Sequence, residues 1–219
     1  MLSHGKWNSD LTKSEVLSVG HSSRTGLEFL AVLEAWEVSA IADVRSTPWS
    51  KRNPQFNRDI LKFELESRGI SYRFMGRSLG GRPSLASLYS NGVADYEKMA
   101  GAPAYKQAIM RVQAAAKNHR LALLCSEHDP IECHRCLLVG RSLDEVGVKM
   151  IHILSENFAQ SQQEIEGRLL KLTGENQSNF LQPRIDVLSH VYKEWSERVA
   201  YSKPKYTPSE NDVRDLQWS

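Results

Sequence analysis

The sequence predicts a doubly wound α/β fold: a mostly parallel sheet in a three-layer, Rossmann-like arrangement, with a helical C-terminal extension. Three observations carry this. Short apolar runs alternate along the chain with stretches of helical period, as they do where βαβ units build a parallel sheet. The run Leu121–Leu124 is unbroken and ends at Cys125, in the manner of a buried strand. At 219 residues, 41% hydrophobic and 25% charged, the chain suits one sizeable α/β domain with extensions, or two small ones at most.

Residues 1–15 are polar and unpatterned and read as a flexible arm. Val16–Val19 is the first strand, closed by Gly20-His21-Ser22-Ser23. Thr25 and Glu28 have the spacing of a capping box and open a helix that turns Leu27, Leu30, Leu33 and Trp36 toward the core. Ser39–Val44 is the second strand and delivers Asp43, Arg45 and Ser46 to its end. Pro48 and Pro54 bracket a loop before a helix from about Asn57 to Arg68, which Gly69 terminates. Ser71–Phe74 is the third strand, followed by a loop rich in glycine and arginine that runs on toward Asn91-Gly92. A helix over Ala104–Lys117, the strand Leu121–Leu124, a helix from about Cys133 to Val146 and a strand near Met150–Leu154 complete an α/β domain spanning 16–155. Residues 156–219 form the extension, helical over Ser161–Leu172 and Pro183–Val199 and extended or flexible from Lys203.

Several function classes are excluded at this level. No apolar run approaches the ~20 residues that span a bilayer, and the first twenty residues, with Lys6, Asp10, Lys13 and Glu15, lack a secretory apolar stretch. A cytoplasmic protein with no membrane partner is expected. All three cysteines, Cys125, Cys133 and Cys136, fall within twelve residues, which is no disulfide framework. The net charge of +2 announces no global basic field, yet Arg45 to Arg82 holds nine basic residues against three acidic ones. Such a local excess suits a phosphate or a polynucleotide backbone, and equally a solvated face.

The densest chemistry lies in Cys125-Ser-Glu-His-Asp-Pro-Ile-Glu-Cys-His-Arg135, just beyond a strand end. In open α/β sheets ligands bind in the crevice outside the carboxyl ends of the strands. Four segments, Gly20-His21-Ser22, Asp43-Val44-Arg45 with Pro48, Leu79-Gly80-Gly81 and this loop, resemble the bacterial family known as domain of unknown function 488. The likeness runs from Val16 to Leu154 and implies an α/β domain whose motifs converge at one edge, with no reaction attached. The family pattern stresses the first cysteine and Cys-His-Arg, so Cys136 is an addition.

Within the loop, Glu127 is read as the catalytic acid and Asp129 as a turn cap before Pro130. Asp43 is a second candidate acid, or else a buried partner of an arginine. Arg45 and Arg135, with His21, Ser22, Ser46, Arg52, Cys133, Gly80 and Gly81, are expected to cradle a phosphate, Arg135 from near a helix start. The competing reading of the arginines is an internal salt bridge. Trp49, Phe56 and Tyr72 are candidates to stack a base, or anchors of a loop on the core. His134 joins the catalytic set and would depress the pKa of a neighbouring cysteine. Zinc on Cys125, Cys133, Cys136 and His134 is the less favoured reading against cysteines packed as small apolar residues, so no cofactor is assigned. A cysteine-phosphatase or rhodanese loop is rejected, because the residues six beyond Cys125 and Cys133 are Ile131 and Val139 rather than arginine.

The expected function is therefore an enzyme acting on a phosphorylated nucleotide or nucleic acid, with a DNA N-glycosylase for modified bases as the specific form. The alternative is a non-catalytic nucleotide- or nucleic-acid-binding module whose Cys/His loop is structural, with or without zinc. DNA or a nucleotide is the expected partner in both.

Overall fold

Parallel pairing dominates a six-stranded sheet built from β1 (Glu15–Gly20), β2 (Ala40–Asp43), β3 (Ser71–Phe74), β6 (Leu121–Cys125), β7 (Lys149–Ile153) and β8 (Ala159–Ser161). Their order is β3-β2-β6-β1-β7-β8, and only β8 runs antiparallel, against β7. The computed structural model describes residues 15–175 and 184–204. The predicted arm before Glu15 and the predicted stretch beyond Pro204 lie outside the described residues. Among the described residues, no helix is long and apolar enough to cross a membrane.

Helices cover both faces. On one side, α1 (Gly26–Ala35) and α2 (Arg58–Ser67) pack Phe29, Leu30, Val32, Leu33, Leu61 and Leu65 against Leu17, Val19, Ile41, Ala122 and Leu124. Fully burying a side chain of this size contributes about 1.5–3 kcal/mol, so α1 is held by its inward face more than by its caps. The capping box of Thr25 and Glu28 is present, with Thr25 N–H donating to Glu28 Oε2 at 2.7 Å and Glu28 N–H to Thr25 Oγ1 at 3.2 Å. The inward face differs by a few residues from the predicted one. Leu27 is 75% exposed and Phe29 is buried instead, because the cap fixes Leu27 on the outer side of the first turn.

The other side carries α4 (Tyr96–Gly101), α5 (Pro103–Ala116), α6 (Arg141–Glu145), α7 (Gln162–Leu172) and α8 (Arg184–Val199). Tyr105, Val112, Leu137, Leu143, Ile165, Leu169 and Val191 pack there against Val16, Ala42, Leu123 and Met150. β8 and α7 thus extend the same sheet and the same core past residue 155, where the sequence placed a domain boundary. Asn91 and Gly92, both at positive φ, turn a small hairpin of β4 (Tyr89–Ser90) and β5 (Val93–Ala94). A single helical turn, α3 (Gly76–Leu79), follows β3.

This winding places the crevice. β1 and β2 send the chain into helices on one face, while β6, seated between them, sends it to the opposite face. Adjacent strands whose connections diverge leave a cleft beyond their carboxyl ends. Gly20, Asp43 and Cys125 are the last residues of those three strands.

Candidate functional site

From the end of β6 the chain makes a short 3-10 turn, Pro130–Glu132, which Asp129 caps by accepting from Ile131 N–H at 3.2 Å. The other Asp129 oxygen pairs with Arg168 at 2.6 Å. Asp129 therefore holds the loop. The predicted helix then begins as a widened π-turn, Arg135–Gly140, before tightening into α6. Such widened turns are rare and recur at functional sites. Cys133 and His134 lie just before this turn and face the Cys125 and Glu127 side chains, while Cys136, inside it, turns away to Gln162 at 3.7 Å. The Cys-x-x-Cys spacing is thus split between two environments, although all three cysteines are buried.

Four side chains converge. Glu127 Oε2 lies 2.9 Å from Cys125 Sγ and 3.0 Å from Cys133 Sγ. His134 Nδ1 stands 3.7 and 3.9 Å from the same two sulfurs. His134 Nε2 lies 3.0 Å from the Val44 carbonyl, which can only accept, so this nitrogen carries the proton and Nδ1 faces the sulfurs with its lone pair in the neutral ring. Both thiols and the imidazole are buried, whereas Glu127 is an exposed residue whose carboxyl turns inward. The cluster thus has a dry floor and one solvated side.

The electrostatics follow from that geometry. Burial, then the Cys133 sulfur, raise the Glu127 carboxyl above the usual carboxylate range. Burial, then Cys133, push the Cys125 thiol well up. Burial opposes ionisation of Cys133 too, but the Cys125 thiol, Arg135 and His134 outweigh it and hold Cys133 low. His134 is raised in turn, its burial outweighed by the Cys133 sulfur. Cys136 is pushed up to about 12, chiefly by burial.

Two predicted arginines are engaged by the protein. Arg45 meets Asp43 through Nε at 2.9 Å and through a terminal nitrogen at 2.6 Å, and donates to the Phe56 carbonyl at 2.9 Å. Asp43 also accepts from Tyr72 Oη at 2.6 Å and from Arg45 N–H at 3.1 Å. Arg135 is fully buried and donates to the carbonyls of Glu127 and His128 at 2.6 and 2.8 Å, while its Nε has no hydrogen-bond partner among the described residues. Both arginines fix the strand ends and the loop from inside. Of the predicted aromatics, Phe56 is buried and stacked on His21 at 4.3 Å, Tyr72 is tied to Asp43, and Trp49 is 60% exposed.

The remaining predicted residues frame the crevice. Burial lowers His21 to about 4, and its Nδ1 lies 2.8 Å from the Ser22 carbonyl. Ser22 adopts a φ of 52° and donates its N–H to Ser126, stitching β1's exit to the loop. Ser46 Oγ accepts from Arg82 N–H at 2.9 Å, and Arg52 is exposed. Gly80 and Gly81 are buried, and a Cβ on Gly81 would stand 2.9 Å from His134 Cγ and one on Gly80 2.4 Å from Ser46 Oγ. On Gly20 it would meet the Glu127 carbonyl at 1.7 Å. Close backbone approach therefore requires glycine at these places. The Val44 carbonyl, which sets the His134 tautomer, was missed in the sequence because a backbone acceptor leaves no residue-type signal.

The family model described as Domain of unknown function DUF488 matches residues 27–141, more than half of the chain. That span includes the second, third and fourth motifs, and Gly20-His21-Ser22 lies just before it. No curated protein and no solved structure matches the chain.

Proposed function

The chain belongs to the family described as Domain of unknown function DUF488, and from its crevice we propose a hydrolytic enzyme acting on a nucleotide or nucleic-acid substrate. The single observation that carries this is Glu127. It is an exposed residue whose carboxyl sits against two buried sulfurs beside an imidazole. A carboxyl raised above its usual range, next to a sulfur held below its own, is an acid–base pair poised nearer neutrality than either group alone. Such pairs concentrate at reaction centres.

The engaged groups redistribute the expected roles. Asp43 is neutralised by Arg45, so orienting water or stabilising an oxocarbenium-like centre falls to Glu127 alone. With Arg45 and Arg135 turned inward, phosphate contact falls to the exposed Lys51, Arg52 and Arg82, and base stacking to Trp49. Release of a modified base from DNA is the reaction that uses all of these parts. The exposed Trp49, Lys51 and Arg52 also support a second reading, a binding module without turnover.

The test is incubation of the protein with DNA duplexes carrying modified bases and, in parallel, with a nucleotide panel. Release of free base or sugar phosphate is expected. Salt-sensitive binding without product over long incubation would overturn the enzyme in favour of the binding module.

A further inference from the structure

We propose that Cys125, Cys133 and His134 form a binding site for a divalent transition-metal ion of the zinc class, with Glu127 beside the fourth coordination position. The three donor atoms lie within 4.8 Å of one another and all three residues are buried. Zinc–sulfur and zinc–nitrogen bonds of about 2.3 and 2.0–2.1 Å at tetrahedral angles set ligand sulfurs about 3.6 Å from the ligand nitrogen. The two sulfur–Nδ1 distances are 3.7 and 3.9 Å. An ion can therefore enter without rebuilding the backbone.

The surroundings point the same way. Imidazole ligands characteristically donate their other N–H to a carbonyl or carboxylate, which fixes the ring and leaves the metal-facing nitrogen bare. The Val44 carbonyl stands in that place for His134 at 3.0 Å. Arg135 N–H reaches Cys133 Sγ at 3.4 Å, and a backbone donor at that position supports a thiolate. Gly81 closes over the His134 ring with no room for a Cβ, so Nδ1 is held in line with the two sulfurs. The donor set of two sulfurs and one imidazole is soft to intermediate and suits zinc rather than magnesium or calcium. Cys136 is excluded by its turn toward Gln162, so the ligands are not the Cys-x-x-Cys pair.

A site with three protein donors is of the open type, in which the fourth place is kept for water or substrate. The Glu127 carboxyl, 2.9 and 3.0 Å from the two sulfurs, borders that place. The proposal goes beyond the hydrolase reading, and its test does not depend on turnover.

The full chain, purified in reductant without chelating resin, is assayed for metal by plasma mass spectrometry, then stripped and reloaded with Co2+. About one zinc per chain is expected, and the Co2+ form should show thiolate charge-transfer and tetrahedral d–d bands. Cys125→Ser and Cys133→Ser should lose the ion, while Cys136→Ser and Glu127→Gln keep it. A reduced wild-type protein with no zinc and no cobalt bands would overturn the proposal, as would Cys136→Ser losing the ion as fully as Cys133→Ser. Where a serine variant fails to fold, the wild-type cobalt spectrum decides alone.

Discussion

Asp43→Asn separates the two carboxylates of the crevice. Asp43 is fully buried and meets Arg45, itself 5% exposed, in a two-point ion pair, with Tyr72 Oη as a further donor at 2.6 Å. Breaking a buried pair by removing one charge costs about 3–5 kcal/mol, because the partner is left uncompensated. Asparagine retains one acceptor oxygen, so the lower end, about 3 kcal/mol, applies. For a chain of this length that is a fall of roughly 6–12 °C in Tm. Glu127 makes no ion pair among the described residues and its carboxyl accepts only from two thiols, so Glu127→Gln should stay within about 1 kcal/mol of wild type. Thermal unfolding of both variants, followed by circular dichroism, makes the comparison. Asp43→Asn melting within about 2 °C of wild type, or Glu127→Gln melting as low as Asp43→Asn, would refute the division into a structural and a functional carboxylate.

Other consequences are as specific. Gly81→Ala places a Cβ 2.9 Å from His134 Cγ and should cost about 1–3 kcal/mol by displacing the ring. Gly26→Ala meets nothing within 4 Å and should leave stability unchanged or slightly higher, and equal melting of the two variants would contradict the packing argument. Burial lowers both His152 and His21 to about 4 from the usual 6.5, so below about pH 6.5 the unfolded chain binds protons that the folded one refuses. Stability is full above that pH and falls toward pH 4, by up to about 3 kcal/mol for each histidine. Urea unfolding of His152→Gln at stepped pH should show a shallower acid limb, and an unchanged slope would contradict the assignment of His152 as buried and neutral.

What was legible in the sequence is what local pattern determines. The capping pair Thr25 with Glu28 marks a helix start, and its box is formed. Gly69 ends its helix at a φ of 76°, the conformation that favours glycine there. The buried strand Leu121–Leu124 is a plain apolar run and lies mid-sheet. The short elements were less visible. β8 is three half-buried residues, and the β4–β5 hairpin announces itself only by Asn91-Gly92. The π-turn has no pattern of its own, because Arg135–Gly140 reads equally well as α-helix.

At the site, residue types were visible and partners were not. Arg45 and Arg135 have the same composition signal whether they bind phosphate or hold the loop, and it is the local course of the chain at the end of β2 and through the loop after β6 that brings Asp43 to the one and the Glu127 carbonyl to the other. The convergence of Cys125 with Cys133 and His134, and the departure of Cys136, likewise follow from the turn between them rather than from their spacing.

The central claim is that Glu127 serves reaction chemistry while the groups beneath it hold the crevice. It is tested most directly by Glu127→Gln under single turnover, with substrate binding measured on the same samples. The account predicts binding within about twofold of wild type and a rate lower by at least about 10²-fold. Undiminished turnover, or binding lost in proportion to turnover, would contradict it.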